Sequence, residues 1–148
     1  MKPVKNRKAY FDYDILETLE VGIALKGYEV KAVREGQISL GDSYVIIKDE
    51  ELLLLNASIS RYKHMGSHDY DPLRTRKLLA KKREIISLAT KVKQKKLTIV
   101  PLKVYAQGKR IKLEIGLVRG KKKYEKKESI KKRELERDLH CQKRKYVV

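Results

Sequence analysis

Short apolar runs and one segment of alternating apolar and polar residues predict two strand pairs in this chain. Residues 43–48 and 51–59 are apolar runs separated by a charged stretch, which is typical of a hairpin. Residues 97–106 and 110–118 form a second pair, and in 110–118 every second side chain is apolar. Pro101 has no backbone N–H to donate, so we expect it at an edge strand or a bulge.

Helical spacing and capping residues predict two helices. Apolar residues three and four apart favour a helix over residues 14–25, and a short alternating run follows as a strand over 28–32. The longest apolar stripe favours a helix over 72–94. Asp71 and Pro72 suit its N-cap and first position.

These elements indicate a mainly β protein with flanking helices. Several strands with a basic surface favour a small antiparallel β-barrel, and an OB-like barrel is one member of that class. Residues 1–8 are interpreted as a mobile basic arm. The apolar pattern stops near Val118, which predicts a barrel domain over 1–120 and a separate tail over 121–148.

The tail is rich in basic residues and poor in apolar ones. Such a segment buries too little surface to offset its ordering entropy. We therefore expect it to be disordered in the free protein. Good helix formers over 127–145 make a helix on binding plausible.

Charge narrows the class of partner. The 148 residues carry a net charge of +18, which is best tolerated beside a polyanion. The composition favours nucleic acid over an anionic membrane as this polyanion. No apolar run approaches the length of a membrane span. No secretory signal is visible and Cys141 is the only cysteine. We expect a cytoplasmic protein that is monomeric when free.

The sequence carries no recognisable catalytic or metal-binding pattern. His64, His68, His140 and Cys141 match no common zinc spacing. No glycine-rich phosphate loop, nucleophile elbow or cluster of carboxylates is present in the sequence. The prediction is a binding protein without enzymatic activity, cofactor or metal.

A set of short segments stands in a fixed order over residues 6–133. They are Asn6-Arg7-Lys8-Ala9 with Asp12-Tyr13, Glu20-Val21-Gly22-Ile23, Gly27-Tyr28-Glu29-Val30-Lys31, Asp42-Ser43-Tyr44, Arg74-Thr75-Arg76-Lys77-Leu78-Leu79, and Gly120-Lys121-Lys122-Lys123-Tyr124-Glu125-Lys126-Lys127. Together they resemble the small protein B family. The resemblance implies an OB-fold barrel that binds the tRNA-like domain of transfer-messenger RNA (tmRNA). It also implies delivery of that RNA to stalled ribosomes in trans-translation, with the tail in the empty messenger channel near the decoding centre.

The RNA-binding residues are predicted partly from chemistry and partly from the resemblance. Arg74, Arg76 and Lys77 would open the long helix against its dipole, which hints at phosphate contacts. Glu20 would accept hydrogen bonds from bases or 2′-hydroxyls. From the residues alone, an ordinary exposed helix position or an ion pair that positions an Arg explains Glu20 better, and the resemblance reverses that preference. Leu79 is the family's RNA-facing apolar position, whereas core packing is the ordinary role of a Leu. The full set of candidates is Asn6, Arg7, Lys8, Glu20, Lys31, Arg74, Arg76, Lys77 and Leu79.

The predicted ribosome-binding residues lie in the tail. A dense basic run suits a channel walled by ribosomal RNA, and Tyr124 would stack on a ribosomal base. The candidates are Lys121, Lys122, Lys123, Tyr124, Glu125, Lys126, Lys127, Lys131, Lys132 and Arg133. The family usually has Asp-Lys-Arg at 125–127, so this chain lacks the planar guanidinium at position 127.

Two questions stay open at this stage. Tyrosines of small barrels commonly lie in the core, and we expect that of Tyr44 and Tyr105, although stacking on unpaired bases would also suit them. A basic OB-like ribosomal structural protein is the alternative function, since it would also explain the charge and the tail.

Overall fold

The computed structural model describes residues 1–64, 66 and 69–120. This part of the chain contains nine strands and three helices. In chain order they are β1 (Val4–Lys5), α1 (Arg7–Asp12), β2 (Tyr13–Ile23), α2 (Gly27–Arg34), β3 (Ile38–Ser39), β4 (Tyr44–Lys48), β5 (Glu51–Leu55), β6 (Ser58–Ile59), β7 (Arg76–Leu79), α3 (Lys82–Lys95), β8 (Thr98–Gln107) and β9 (Arg110–Gly120).

Six antiparallel strands close on themselves to form a barrel. Their order is β8-β4-β5-β7-β2-β9, and β9 pairs again with β8. β1 pairs with β8 at Lys103 and Val104, beyond the β8 residue Ile99 that pairs with β4, while β3 and β6 form a separate two-stranded sheet. The predicted antiparallel barrel with flanking helices is therefore confirmed, and closure removes the exposed edges of the sheet.

The barrel interior holds the main core. Every second residue of β9, from Ile111 to Leu117, is buried in one cluster with residues from the other strands. Helix α3 contributes Ile85 and Leu88 to the same cluster. A second, smaller cluster lies outside the barrel wall, where Ala9 of α1 packs against Val100, Leu102 and Val118.

The predicted strands 43–48, 51–59, 97–106 and 110–118 are confirmed, apart from a break in the second of them. Asp49 and Glu50 form the β4–β5 turn and both have positive φ, at 52° and 62°. This conformation matches the twist of paired strands in a two-residue hairpin. The register of β8 shifts between Pro101 and Lys103, which confirms the expected bulge.

The helix predicted over residues 14–25 is wrong, because this segment is β2. It pairs with β9 from Tyr13 to Gly22, with a register shift between Ile15 and Glu17. A bulge adds one residue to a strand and breaks its alternation. Leu16, Leu19 and Ile23 therefore have helix-like spacing, although Leu16 is 46 % exposed and Ile23 is buried.

The strand predicted over 28–32 is also wrong, since the segment lies in α2. Glu29, Ala32 and Val33 are its buried residues, at the spacing of one helix face. The backbone N–H of Lys26 donates to the Glu29 carboxylate at 2.9 Å and helps to start the helix. A buried Glu imitates a polar surface position, so the pattern was misleading.

The helix predicted over 72–94 begins too early. Residues Arg76–Leu79 form β7, which joins β5 to β2 and so closes the barrel. Helix α3 begins only at Lys82, where the Lys81 N–H donates to the Glu84 carboxylate at 3.1 Å.

Residues 1–8 are not a free arm, because β1 pairs with β8 and α1 starts at Arg7.

Gly116 should be intolerant of a side chain. A Cβ added there would lie 2.7 Å from Cδ1 of the buried Leu102. We expect Gly116→Ala to lower the free energy of unfolding by about 1–3 kcal/mol through overpacking. Gly41→Ala is the matched control, since a Cβ at that position would have no neighbouring atom within 4 Å. Equal urea midpoints for the two variants would contradict this account.

Candidate nucleic-acid interface

A row of side chains crosses four strands on the outer face of the barrel. Leu79 of β7 pairs with Gly22 of β2, Gly22 pairs with Lys112 of β9, and Lys112 pairs with Tyr105 of β8. Leu79 is 54 % exposed although its neighbour Leu78 is buried in the interior. Pairing across the strands therefore places an apolar, a cationic and an aromatic side chain side by side.

A second row runs beside the first. Glu20 of β2 pairs with Glu114 of β9, which pairs with Lys103 of β8. The Lys103 ammonium lies 3.9 Å from the Glu114 carboxylate and 5.4 Å from the centre of the Tyr105 ring. Like charges directly opposite on paired strands repel, and Lys103 offsets that repulsion. We call the two rows, Leu79, Gly22, Lys112, Tyr105, Glu20, Glu114 and Lys103, the outer-face site.

Tyr105 links the two rows. Its hydroxyl donates a hydrogen bond to the Glu20 carboxylate. Partial burial, reinforced by Glu20 and Glu114, raises the pKa of Tyr105 to about 12. The phenol therefore stays neutral at physiological pH and remains a donor. It orients a carboxylate that is otherwise exposed to solvent.

This arrangement suits recognition of a polar polyanion with aromatic rings. The Glu20 carboxylate has lone pairs left to accept hydrogen bonds from a base edge or a ribose hydroxyl. Lys112 can neutralise a phosphate, and Leu79 presents apolar surface to a base. The outer-face site therefore combines the three contact types that RNA recognition uses.

A buried ion cluster lies away from this face. Arg76 is fully buried, and its Nη2 lies 2.7 Å from Oε2 of the equally buried Glu29. Its Nη1 donates to the Ala57 carbonyl at 2.7 Å, and Nη2 also donates to the Tyr70 hydroxyl at 3.1 Å. Arg74 forms a further ion pair with Glu29 from the protein surface. The cluster connects α2 to β7 and to the segment before it.

The Glu29 carboxyl stays ionised in this cluster. Burial by itself raises its pKa, but hydrogen bonds from Arg74, from the Lys26 backbone and from Arg76 outweigh that effect. The net result is a pKa below the ordinary value of 4.5. Because the lowered pKa belongs to the folded state, Glu29 stabilises the protein above pH 4.5 and loses this effect as the pH falls through the lowered pKa.

Several predicted RNA-binding side chains are accessible. Leu79 and Glu20 belong to the outer-face site, and the other exposed candidates are cations. Lys77 pairs with Glu51 at 3.3 Å, Lys8 pairs with Asp42 at 2.6 Å, and Lys31 lies 5.6 Å from the centre of the Tyr62 ring. Arg7 is exposed at the start of α1. The structure thus distributes these cations over several elements and does not gather them in one helix turn.

Asn6 and Arg76 are buried and make hydrogen bonds within the protein, so their predicted RNA contacts stay a prediction. The Asn6 amide donates to the carbonyls of Leu40 and Pro101, and its oxygen accepts from the Ala9 N–H. Both amide protons are used, and the residue is 3 % exposed. Arg76 is equally committed to the ion cluster. Arg74, which is half-buried, is also engaged there.

The ten predicted tail residues lie outside the described residues. They are Lys121, Lys122, Lys123, Tyr124, Glu125, Lys126, Lys127, Lys131, Lys132 and Arg133. Gly120, the last residue of β9, is also the last described residue, so the domain division at 120 stays a prediction.

Sequence reasoning missed the contribution of β8 and β9 to the site. Alternation in β9 had placed Lys112 and Glu114 opposite the buried face, which is where they lie. Nothing in the sequence paired them with Glu20. Tyr105 was expected in the core but lies half-buried on the outer face, and Tyr44 is 39 % exposed.

Membrane-spanning helices and metal clusters are both absent from the part of the chain that the structure describes. No helix in that part is long and apolar enough to cross a membrane. No group of three or more His, Cys, Asp or Glu side chains there is arranged to hold a metal ion.

Comparison with known proteins identifies the family. The family model described as SmpB protein matches residues 3–145. This chain belongs to the SmpB family. The SsrA-binding protein of Gloeobacter violaceus is 53 % identical over 136 residues, which is 92 % of this chain and 90 % of that protein. The SsrA-binding protein of Persephonella marina is 50 % identical over 134 residues, 90 % of this chain and 88 % of the relative.

A solved structure confirms the fold for this SmpB-family chain. The match has a TM-score of 0.69 and 44 % identity, and it covers 86 % of this chain and 94 % of the other. That structure is described as "tmRNA-SmpB: a journey to the center of the bacterial ribosome". The resemblance seen in the short sequence segments is therefore confirmed over nearly the whole chain.

Proposed function

We propose that this chain binds the tRNA-like domain of tmRNA through the outer-face site and delivers it to stalled ribosomes in trans-translation. The observation that carries the proposal is the placement of exposed Leu79 and Glu20 and half-buried Lys112 on adjacent strands of a +18 chain. The relatives named above are SsrA-binding proteins, and the solved neighbour is tmRNA-SmpB of the bacterial ribosome. Both support this class of partner.

In this proposal the barrel and the tail have separate roles. The barrel holds the RNA, and the tail over residues 121–148 enters the empty messenger channel beside the decoding centre. The protein acts as a cytoplasmic binding factor without catalysis of its own, and its effect comes from placing the RNA. Its basic tail suits a channel walled by phosphates, where counterion release favours binding.

Salt dependence provides the direct test of the proposed RNA surface. Lys112→Gln should weaken binding to the transcribed tRNA-like domain and reduce the log–log salt slope by roughly 0.7–0.9, the share of one phosphate. Glu20→Ala should weaken binding without reducing the slope, because hydrogen bonding releases no counterions. Tighter binding by Glu20→Ala would show that the carboxylate only repels RNA and would contradict the proposal.

Sucrose gradients distinguish this factor from a ribosomal structural protein. A structural component stays with its subunit in high salt at constant stoichiometry, whereas a delivery factor washes off. We expect this chain to leave the ribosome in high salt and to co-purify with tmRNA. Retention on one subunit, without tmRNA in the purified sample, would favour the structural alternative.

Tyr105→Phe tests whether RNA binding depends on the orientation of Glu20, separately from the stability of the fold. The change removes only the hydroxyl that donates to Glu20. One lost hydrogen bond corresponds to about 0.5–1.5 kcal/mol, so we expect roughly two- to tenfold weaker RNA binding. In a Glu20→Ala background the same change should have little further effect. Tyr44→Phe is the control, and equal losses for both tyrosines would contradict a specific role of Tyr105.

A further inference from the structure

A groove opens where the barrel wall has the fewest paired residues. β4 pairs with β8 only at Val45 and Ile99, and helix α3 lies beside the gap that this leaves. The groove has a volume of about 390 Å³, within the range of ligand-binding pockets. Ile46 of β4, Val92 of α3 and Leu97 are among the apolar residues that line it. The groove shares no residue with the outer-face site.

The outer surface of the β4–β5 hairpin continues this apolar lining. Tyr44 pairs with Leu55 and Ile46 pairs with Leu53, so the four side chains lie on one face of the hairpin. Tyr44 is 39 % exposed and the other three are half-buried. Neither core cluster found among the described residues includes any of them. We call these four side chains the hairpin patch, and it joins the groove because Tyr44 and Ile46 belong to both.

The groove has positive charge at the end of α3. Lys93, Lys95 and Lys96 are exposed there, and Lys93 lines the groove. No residue lining the groove is acidic, and among the described residues no carboxylate forms an ion pair with these lysines. The acidic β4–β5 turn lies at the other end of α3, where Glu50 already pairs with a lysine of the first helical turn. The three lysines are therefore available to an external anion.

We propose that the groove and the hairpin patch dock an acidic amphipathic segment of a protein partner. Apolar side chains of the segment enter the groove and cover the patch, and its carboxylates lie on Lys93 and the neighbouring lysines. Amphipathic helices bind grooves in this way, with apolar anchors on one face and charged residues beside them. The inference goes beyond the proposed function, because it adds a protein contact to a chain proposed to bind RNA.

The chemistry of this surface favours a protein over RNA or a second copy of the chain. Interfaces with nucleic acid are polar and strongly basic, whereas the described residues that line this groove are mostly aliphatic and include one cation, Lys93. A second copy carries the same net charge of +18 and is repelled. Protein interfaces combine an apolar core, a polar rim and tyrosine anchors, and Tyr44 is such an aromatic side chain beside the groove.

Site-specific photo-cross-linking in cells tests the occupant. Benzoylphenylalanine replaces Leu55 in the full chain, and mass spectrometry identifies the cross-linked segment. We expect a cross-link to one acidic amphipathic segment of a protein. The same cross-linker at Leu73, which is 52 % exposed and outside the patch, is the matched control and should not capture that segment. A cross-link only to RNA, a cross-link only to a second copy of the chain, or no cross-link would each overturn the inference.

Charge reversal shows whether the captured contact uses the groove. Lys93→Glu should lower the cross-link yield roughly fivefold or more, because it places like charges together. Replacing the facing carboxylate of the partner by Lys should restore the yield. Lys63→Glu makes the same charge reversal at an exposed position outside the groove, and it should change the yield by less than about twofold. Equal losses for both variants, or an unchanged yield with Lys93→Glu, would contradict docking in the groove.

RNA binding separates this inference from the proposed function. Thermal melts verify that Lys93→Glu is folded, and its affinity for the transcribed tRNA-like domain should stay within about twofold of the parent, because distant charges are screened. A large loss of RNA affinity would assign the lysines to RNA and overturn the docking proposal. If the cross-link fails while RNA binding is normal, the docking inference is wrong and the proposed function stands.

Discussion

Arg76→Met should lower the free energy of unfolding by about 3–5 kcal/mol, the usual effect of removing one member of a buried ion pair. Methionine retains part of the apolar stem but leaves the Ala57 and Pro72 carbonyls without their Arg76 donors. It also removes the closest ion-pair contact to the Oε2 atom of the buried Glu29 carboxylate. Urea denaturation at pH 7 measures the effect.

Three comparisons sharpen this prediction. Lys77→Met, one residue along β7, removes only an exposed ion pair with Glu51 and should change stability by less than about 1 kcal/mol. Adding Glu29→Leu to Arg76→Met should restore part of the loss, because no buried charge is then left unpaired. Arg76→Met should not reduce the salt slope of RNA binding. A reduced slope with unchanged stability would place Arg76 on the RNA after all.

The same ion cluster predicts how the stability of the protein changes at low pH. Since the Glu29 pKa is lowered in the folded protein, its stabilising effect is complete above pH 4.5 and declines as the pH falls through the lowered value. Glu29→Gln should therefore be less stable than the parent at pH 7, and the difference should narrow in acid. A constant difference across this range would contradict the linkage.

A chain that ends at Gly120 should bind the RNA almost normally yet fail in ribosome rescue. The interior cluster is built from residues between Val21 and Leu117, so the barrel does not need the tail for its core. The outer-face site lies entirely within residues 20–114. We expect binding of the tRNA-like domain within about twofold of the full chain, and almost complete loss of peptide transfer onto tmRNA in stalled ribosomes.

Leu79→Ser provides the reciprocal control for this truncation. It keeps the tail but should weaken RNA binding, so adding excess RNA should restore rescue by this variant and not by the truncated chain.

Ribosomes with intact messenger in the channel should respond poorly even to the full protein, because tail and messenger would occupy the same space. Normal rescue by the chain ending at Gly120 would refute a channel-reading role of the tail. A much lower melting temperature would show that the tail packs on the barrel.

The position of Arg76 illustrates how far charge can be interpreted from sequence. Three cations within four residues, Arg74, Arg76 and Lys77, suggested one basic patch at a helix start. In β7 successive side chains point to opposite faces, so Arg76 is buried while Lys77 is exposed. The same alternation separates buried Leu78 from exposed Leu79 and places Leu79 on the outer face of the barrel.

The sequence alone determined the strands whose periodicity is undisturbed, the strongly basic character of the chain, and the family. In β9 each residue's face follows from local alternation, and β4 and β5 were predicted as apolar runs on either side of a charged turn; neither signal needs knowledge of distant partners. The ordered motif segments identified the SmpB family because order and spacing are properties of the sequence itself.

Only the tertiary structure decided where those rules fail. The bulge in β2 imitated a helix, and the burial of Glu29 made one face of α2 look polar. Pairing between residues far apart in the chain brought Glu20 opposite Glu114 and placed Gly22 beside both Leu79 and Lys112. Such contacts form because closing the barrel buries apolar surface and satisfies backbone hydrogen bonds, and that long-range free energy overrides local propensity.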